Sequence, residues 1–300
     1  MMEHAKQRPL YVCAIWLLQV ILMENMINLC AWNMRALPSS RSYIETLSQG
    51  SDVIILSEHR LYQCELFKLE EYLPGFSVYA KASHDLKQGD VLHKPGHCGM
   101  LIAWRSHLDV VVTKVKVNSD RICGIKLSNC GEHNTDLYIF GVYMPHQNCT
   151  ISDFGDHLAQ LEDAVNKSSK FGEVVILGDF NCHFGDELGS RFWGKTTRNA
   201  RQMSKMFERN GLVILDKDSN CTGPTYTFNV DGVGSSYVDH IVVSKPLTSC
   251  IVSCHVEEDD LANTSDHLPV CCTVELSAVV SRVPVKQQSS VKWKKLYMQI

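Results

Sequence analysis

The sequence contains no Cys-x-x-Cys pair, although it holds 13 cysteines, an odd and scattered set. That absence removes the commonest zinc-ligand spacing. One group, Cys250-x3-Cys254-His255, has the right residue types, yet no second ligand pair follows it at zinc-like spacing. The cysteines are therefore expected to be reduced thiols that act as small core hydrophobes. Strong charge is also missing, with a formal net charge of −4 and a pI near 6.3. Global electrostatics then gives no pull toward nucleic acid, so an anionic substrate must be met by a local cationic patch or a bound metal.

No apolar run is long enough to span a bilayer comfortably. Leu10 to Met23 is almost entirely apolar and follows Lys6 and Arg8, like the core of a signal peptide, but Glu24 and Asn25 come next and no clean cleavage site follows. Residues 1–24 are read as an apolar extension. The expected location is nuclear or cytoplasmic rather than secreted. Sequons at Asn148, Asn166, Asn220 and Asn263 do not change this, because a glycan on Asn263 would crowd Asp266. No internal repeat is visible.

What is present suffices for one sizeable core: 300 residues, 45 % apolar and 21 % charged. Ile27 to Trp32 reads as a first strand. Asp52 to Ser57, Gly99 to Trp104 and Val174 to Gly178 are short continuous apolar runs, as expected of strands buried on both faces. Further strands are expected at Val78–Ala80, Val110–Val117, Ile122–Leu127, Leu137–Tyr143, Thr225–Asn229, Tyr237–Ser244, Ile251–His255 and Val270–Leu276. Helices are expected around Tyr43 to Leu47, at Leu61–Tyr72, at Ser152–Ser168 with Phe154, Leu158, Leu161 and Val165 on one stripe, and at Asn199–Asn210. Ser83 to Cys98 reads as a long polar loop, and residues 277–300 as a basic tail. Strands joined mostly by turns, with a few helices between them, indicate a mixed α/β sheet architecture rather than a repeated βαβ barrel.

The polar residues that punctuate these strands are Asn33, Glu58, Tyr143, Asp179 with Asn181, Asp239, and Asp266 with His267. Each is expected at a strand's carboxyl end or just past it, where sheet proteins assemble ligand sites. Several carboxylates in one cleft repel one another unless a cation is present. Oxygen ligands from carboxylates and amides suit Mg²⁺ or Mn²⁺. A single histidine held by an acid adds a group that can carry a proton near neutral pH.

The ordered blocks Trp32-Asn33, Ser57-Glu58, Tyr143-Met144-Pro145, Gly178-Asp179-Phe180-Asn181, Tyr237-Val238-Asp239-His240 and Ser265-Asp266-His267 resemble the endonuclease/exonuclease/phosphatase superfamily over roughly Asn25 to Leu276. Within it, Asn210 to Leu215, Pro224 to Phe228 and Tyr237 to Ile241 resemble the apurinic/apyrimidinic-type endonucleases of LINE-type (non-LTR) retrotransposons. Val291 to Lys295 looks like the linker such elements carry before a reverse transcriptase.

The resemblance implies a DNase I-like, four-layer α/β sandwich of two mainly antiparallel sheets flanked by helices, with residues 25–276 as the domain. It implies Glu58 as the principal Mg²⁺ (or Mn²⁺) ligand, with Asn33 and Asp266 helping. Asp179 would orient or deprotonate water, Asn181 would hold the scissile phosphate, and Tyr143 would donate to the phosphate or leaving oxygen. Asp239 would fix the tautomer of His267, which contacts a phosphate oxygen or shares the base role. DNA is the expected substrate, with no stable protein partner.

Departures from the family pattern are Arg35, Ser57 and His146. Arg35 either opposes the metal or grips the phosphate, and His146 stands where relatives tend to have Asn. A stripe of Arg198, Arg201, Lys205 and Arg209 on one helix would contact the DNA backbone or be a solvated face, and Phe192 and Trp193 would stack on a base or cover the core. Other readings are a superfamily phosphatase or phosphodiesterase acting on RNA or lipid, and a non-catalytic descendant that only binds.

Overall fold

A computed structural model describes residues 26–83, 98–130, 135–191, 194–217 and 220–276. The expected extension at residues 1–24, most of the polar loop, Phe192, Trp193 and the basic tail lie outside the described residues. The strands are β1 (Met26–Asn33), β2 (Val53–Ser57), β3 (Phe76–Lys81), β4 (Met100–Arg105), β5 (Val112–Val115), β6 (Ile122–Cys130), β7 (Thr135–Tyr143), β8 (Gly172–Asp179), β9 (Leu212–Ile214), β10 (Phe228–Val230), β11 (Gly234–Ser236), β12 (Asp239–Ser244), β13 (Ile251–Val256) and β14 (Val270–Glu275). The helices are α1 (Arg41–Gly50), α2 (Leu69–Tyr72), α3 (Ile151–Ser168) and α4 (Arg198–Arg209).

Two six-stranded sheets form the body, in the orders β13-β14-β1-β2-β4-β3 and β5-β6-β7-β8-β12-β9. Each is antiparallel except for one parallel pair, β1 with β2 in the first and β7 with β8 in the second. Alternation along β1 shows why both faces of the first sheet are apolar. Ile27, Leu29 and Ala31 point toward the second sheet, where they join Ile139, Val175 and Ile241. Cys30 and Trp32 point the other way, onto Tyr43, Ile44 and Leu47 of α1. The sheets approach closely at Gly141, where an added Cβ would lie 2.6 Å from Ile55 of β2. On the outer side of the second sheet, α3 buries Phe154, Leu158, Leu161 and Val165, and α4 buries Met203, Met206 and Phe207. Threonine hydroxyls cap both helices: Thr150 accepts from Asp153 N and Thr197 from Ala200 N.

Two expected elements take other forms. Leu61–Tyr72 is a 3₁₀ turn over Gln63–Lys68 that runs into the single turn of α2, with Leu69 as its buried anchor. Thr225–Asn229 is strand only from Phe228 on; Thr227 instead ties segments together, its N–H donating to Ser236 O and its carbonyl accepting from Leu268 N. Among the described residues, no helix is long and apolar enough to cross a membrane.

Candidate active site

Parallel pairing sends β1 and β2 out at the same edge of the first sheet, and β7 and β8 out at the matching edge of the second. Asn33, Glu58, Tyr143 and Asp179 therefore emerge together. Asp239 and the Asp266-His267 pair reach the same edge differently from the expectation, since Asp239 opens β12 and Asp266-His267 precede β14 rather than following a strand. Both strands run antiparallel to their neighbours, so their amino ends lie beside the carboxyl ends of β8 and β1; Asp239 pairs directly with Asp179.

At this edge the side chains form one connected network. Asn33 donates its amide from a single nitrogen to Glu58 Oε1 and to Asp179 Oδ2, at 3.0 Å each. Glu58 Oε1 also accepts from the Tyr143 hydroxyl at 3.0 Å, while Glu58 Oε2 pairs with Arg60 at 2.8 Å. Asp179 Oδ1 accepts the backbone N–H of Asn181 at 2.9 Å, and the Asn181 amide donates to Met144 O. His267 Nδ1 meets Asp239 Oδ2 at 2.8 Å. Glu58 and Asn181 both adopt left-handed backbone, with φ of 59° and 49°. That conformation is disfavoured for Glu and tolerated by Asn, and non-glycine residues held this way cluster at functional sites.

The support comes from residues to which the sequence reading gave no role in the site. The Trp32 indole donates to His267 O at 3.0 Å, and the edge of the Phe228 ring meets the imidazole with centroids 5.0 Å apart. Thr227 Oγ1 accepts from the backbone N–H of both Val238 and Asp239. Ser265 Oγ donates to Asn33 O and accepts from His267 N. Asn263 Nδ2 donates to His267 O at 2.9 Å, a bond that a glycan on that nitrogen would disturb.

The network sets the charges. Burial raises the Asp179 carboxyl and the nearby Asp239 carboxylate raises it further; His267 and the bonds from Asn33 and Asn181 N offset only part of this, leaving it near 7. Burial opposes a charged His267, but Asp239 against its ring, then Asp179 and Asp266, lift the imidazole to about 9. Burial would also raise Glu58; hydrogen bonds from Asn33, Arg60 and Tyr143 outweigh it and hold this carboxyl low. Burial and then the charges of Glu58 and Asp179 push the Tyr143 phenol far up, so it stays a donor.

A cleft of about 510 Å³ opens over these groups, lined also by Arg35, His146, Gln147, His183 and Asp266. Arg35 pairs with Asp266 at 3.4 Å. Its charge is directed at that acid, which makes it part of the cleft wall. Arg198 and Arg201 do not line the cleft. Arg198 bonds Asn199 Oδ1, Arg201 bonds Thr196 O, and Arg209 is paired with Glu162. The cleft could hold a divalent cation. Asp179, Asp239 and His267 offer donor atoms within 4.8 Å of one another, and amide groups alone hydrogen-bond the buried Asp179 carboxylate. The expected ligands Glu58 and Asn33 adjoin that trio through Asn33 Nδ2. His255, by contrast, does not join Cys250 and Cys254 in a site; its ring reaches Glu257.

Residues 137–271 match the family model described as endonuclease-reverse transcriptase. No curated protein matches by sequence. Among solved structures, the AP endonuclease LMAP from Leishmania major is similar with a TM-score of 0.64 at 16 % identity, covering 84 % of this chain and 88 % of that one. A 3′-5′ exonuclease (NExo) from Neisseria meningitidis gives 0.62 at 18 %, covering 83 % and 100 %. The endonuclease domain of TRAS1, a telomere-specific non-LTR retrotransposon, gives 0.59 at 17 %, covering 84 % and 99 %. At these identities the likeness is one of fold. The chain is thus similar in fold to the AP endonucleases of the endonuclease/exonuclease/phosphatase superfamily and, over residues 137–271, in sequence to the endonuclease-reverse transcriptase family.

Proposed function

We propose that residues 25–276 form a metal-dependent endonuclease of retrotransposon origin that nicks DNA by hydrolysing a phosphodiester. The observation that carries this reading is the bridge made by Asn33 between Glu58 and Asp179, beside the Asp239–His267 pair. It joins acids from both sheets into one cleft. A divalent ion of the magnesium or manganese type, held by Glu58 with Asn33 and Asp266 alongside, would neutralise charge that builds on the phosphoryl oxygens.

The chain's own groups divide the remaining work. Asp179, poised near neutrality, takes the proton of the attacking water. The water oxygen forms its bond to phosphorus as the bond to the leaving sugar oxygen breaks, and that oxygen takes up a proton from solvent. His267, held as an imidazolium by Asp239, donates to a phosphoryl oxygen, and Asn181 offers its second amide hydrogen. Tyr143 donates its hydroxyl hydrogen bond to Glu58, so its role is to hold that carboxylate rather than to meet the leaving oxygen. Arg35 and His146 on the cleft wall, with Arg198 and Arg201 farther out on α4, supply cationic or donor contacts to the DNA backbone.

Supercoiled plasmid incubated with the purified protein and Mg²⁺ tests this reading. The expected result is a nicked circle, with the rate falling on the order of 10²-fold in Glu58→Ala and again in His267→Ala. Plasmid left intact by the wild-type chain, or nicked by both variants as fast as by the wild type, rejects it.

A further inference from the structure

His255 and Cys271 are direct cross-strand partners on β13 and β14, and Cys271 is in turn the partner of Cys30 on β1. The three side chains form a row on the face of the first sheet that packs against α1. Glu257, just past β13, closes the row: its Oε1 lies 3.1 Å from His255 Nε2 and 3.8 Å from Cys271 Sγ. All three donor atoms fall within 4.8 Å of one another. Ligands around a tetrahedral zinc, with bonds of roughly 2.0–2.3 Å, stand about 3.3–3.8 Å apart. The row is therefore nearly spaced for zinc.

We propose that His255, Glu257 and Cys271 bind Zn²⁺, at a site separate from the catalytic cleft. The donor set of one thiol, one imidazole and one carboxylate is wrong for magnesium or calcium and right for zinc. None of the three lines the catalytic cleft. They line instead a cavity of about 300 Å³ under α1, into which Glu258, Asp259 and Asp260 also project. A fourth ligand would come from that cavity, as water or one of these acids. The acids also give the cavity a negative field that draws a cation. As a bare, half-exposed ion pair, His255–Glu257 would add little to stability.

The position gives the ion a purpose. Glu257 N donates to Pro269 O at 2.9 Å, closing the base of the loop that carries Asp266 and His267. Zinc bound to Glu257 on one side and Cys271 on the other fastens both roots of that loop. It acts as a positioning clip for His267 rather than as a catalytic ion.

The test is titration of the chelator-stripped full chain with Zn²⁺ against a chromophoric competitor. One equivalent should bind at submicromolar zinc, with affinity at least tenfold weaker in His255→Ala and in Glu257→Gln. Both residues are partly exposed, and circular dichroism checks that these variants stay folded. Cobalt in place of zinc should show a thiolate charge-transfer band that disappears in Cys271→Ser. Glu58→Ala should bind zinc as the wild type does. The proposal is overturned if wild type takes up no zinc at micromolar concentration, if the equivalent survives all three substitutions at the cluster, or if Glu58→Ala is the variant that loses it.

Discussion

Asp179→Asn lowers the nicking rate by about 10³–10⁴-fold, with the loss in kcat and little change in KM. Two effects combine. The amide cannot accept the proton of water, and it also disturbs its own surroundings. Each Asp179 oxygen accepts from a donor, Oδ2 from Asn33 and Oδ1 from the Asn181 backbone. In the variant one of these donors faces an N–H₂ group instead of an oxygen, which loosens either the Asn33 bridge or the Asn181 turn. Rate against pH separates the two effects. Asp179 works as the carboxylate and is raised to about 7, so the wild-type rate climbs as pH rises through that value. His267 works as the imidazolium and is lifted to about 9, so the rate falls above it. The wild-type profile is a bell whose limbs both move to lower pH when the cation binds. The residual activity of Asp179→Asn loses the acid limb and keeps an alkaline one that moves to lower pH, because Asp179 no longer helps to lift His267. A variant whose rate still rises along the wild-type acid limb assigns the base elsewhere.

The largest expected loss of stability comes from a pair outside the cleft. Asp216 and His240 are fully buried, with His240 Nδ1 and Asp216 Oδ2 2.8 Å apart, and Asp216 Oδ1 also accepts the Ile241 N–H at 2.8 Å. Around them Phe180, Phe184 and Tyr237 pack on the imidazole, with ring centroids 4.8–5.6 Å away. Asp216→Ala strands two donors among aromatic rings, where water cannot reach them. Each unsatisfied group costs about 1–3 kcal/mol, so a total of roughly 3 kcal/mol is expected. For a domain of this size that lowers Tm by about 6–12 °C, measurable by calorimetry. A shift under about 2 °C would mean that the cavity admits water or that the loop relaxes. Because His240 follows Asp239, the substitution should also slow nicking, through the strand that presents Asp239 to His267.

Much of this arrangement was legible before the coordinates. The runs at β2, β4 and β8 announced themselves because both faces of those strands are buried, and α3 because one of its faces is not. Asn33, Glu58, Asp179 and His267 stood out as polar groups set against apolar strands. What was hidden had a common cause. Trp32 and Ser265 stood in the ordered blocks, but their partners His267 O and Asn33 O lie far along the chain, while Arg60 and Thr227 look locally like ordinary surface or core residues. Asp239 and His267 were expected after strands because sequence gives no direction of pairing; antiparallel neighbours bring the amino end of one strand beside the carboxyl end of another. Tyr143 drew attention through its position, yet the direction of its hydroxyl depends on Glu58, contributed by the other sheet.

The place of β1 between β14 and β2 has a consequence for how the protein is made. Among the described residues, the first strand to leave the ribosome waits for the last, since Met26 pairs with Glu275 and Ala31 with Val270. Until translation reaches that point, one edge of β1 is open and the Trp32 indole has no carbonyl to meet. Nascent chains stalled before residue 270 would then expose a sticky apolar ribbon and engage chaperones.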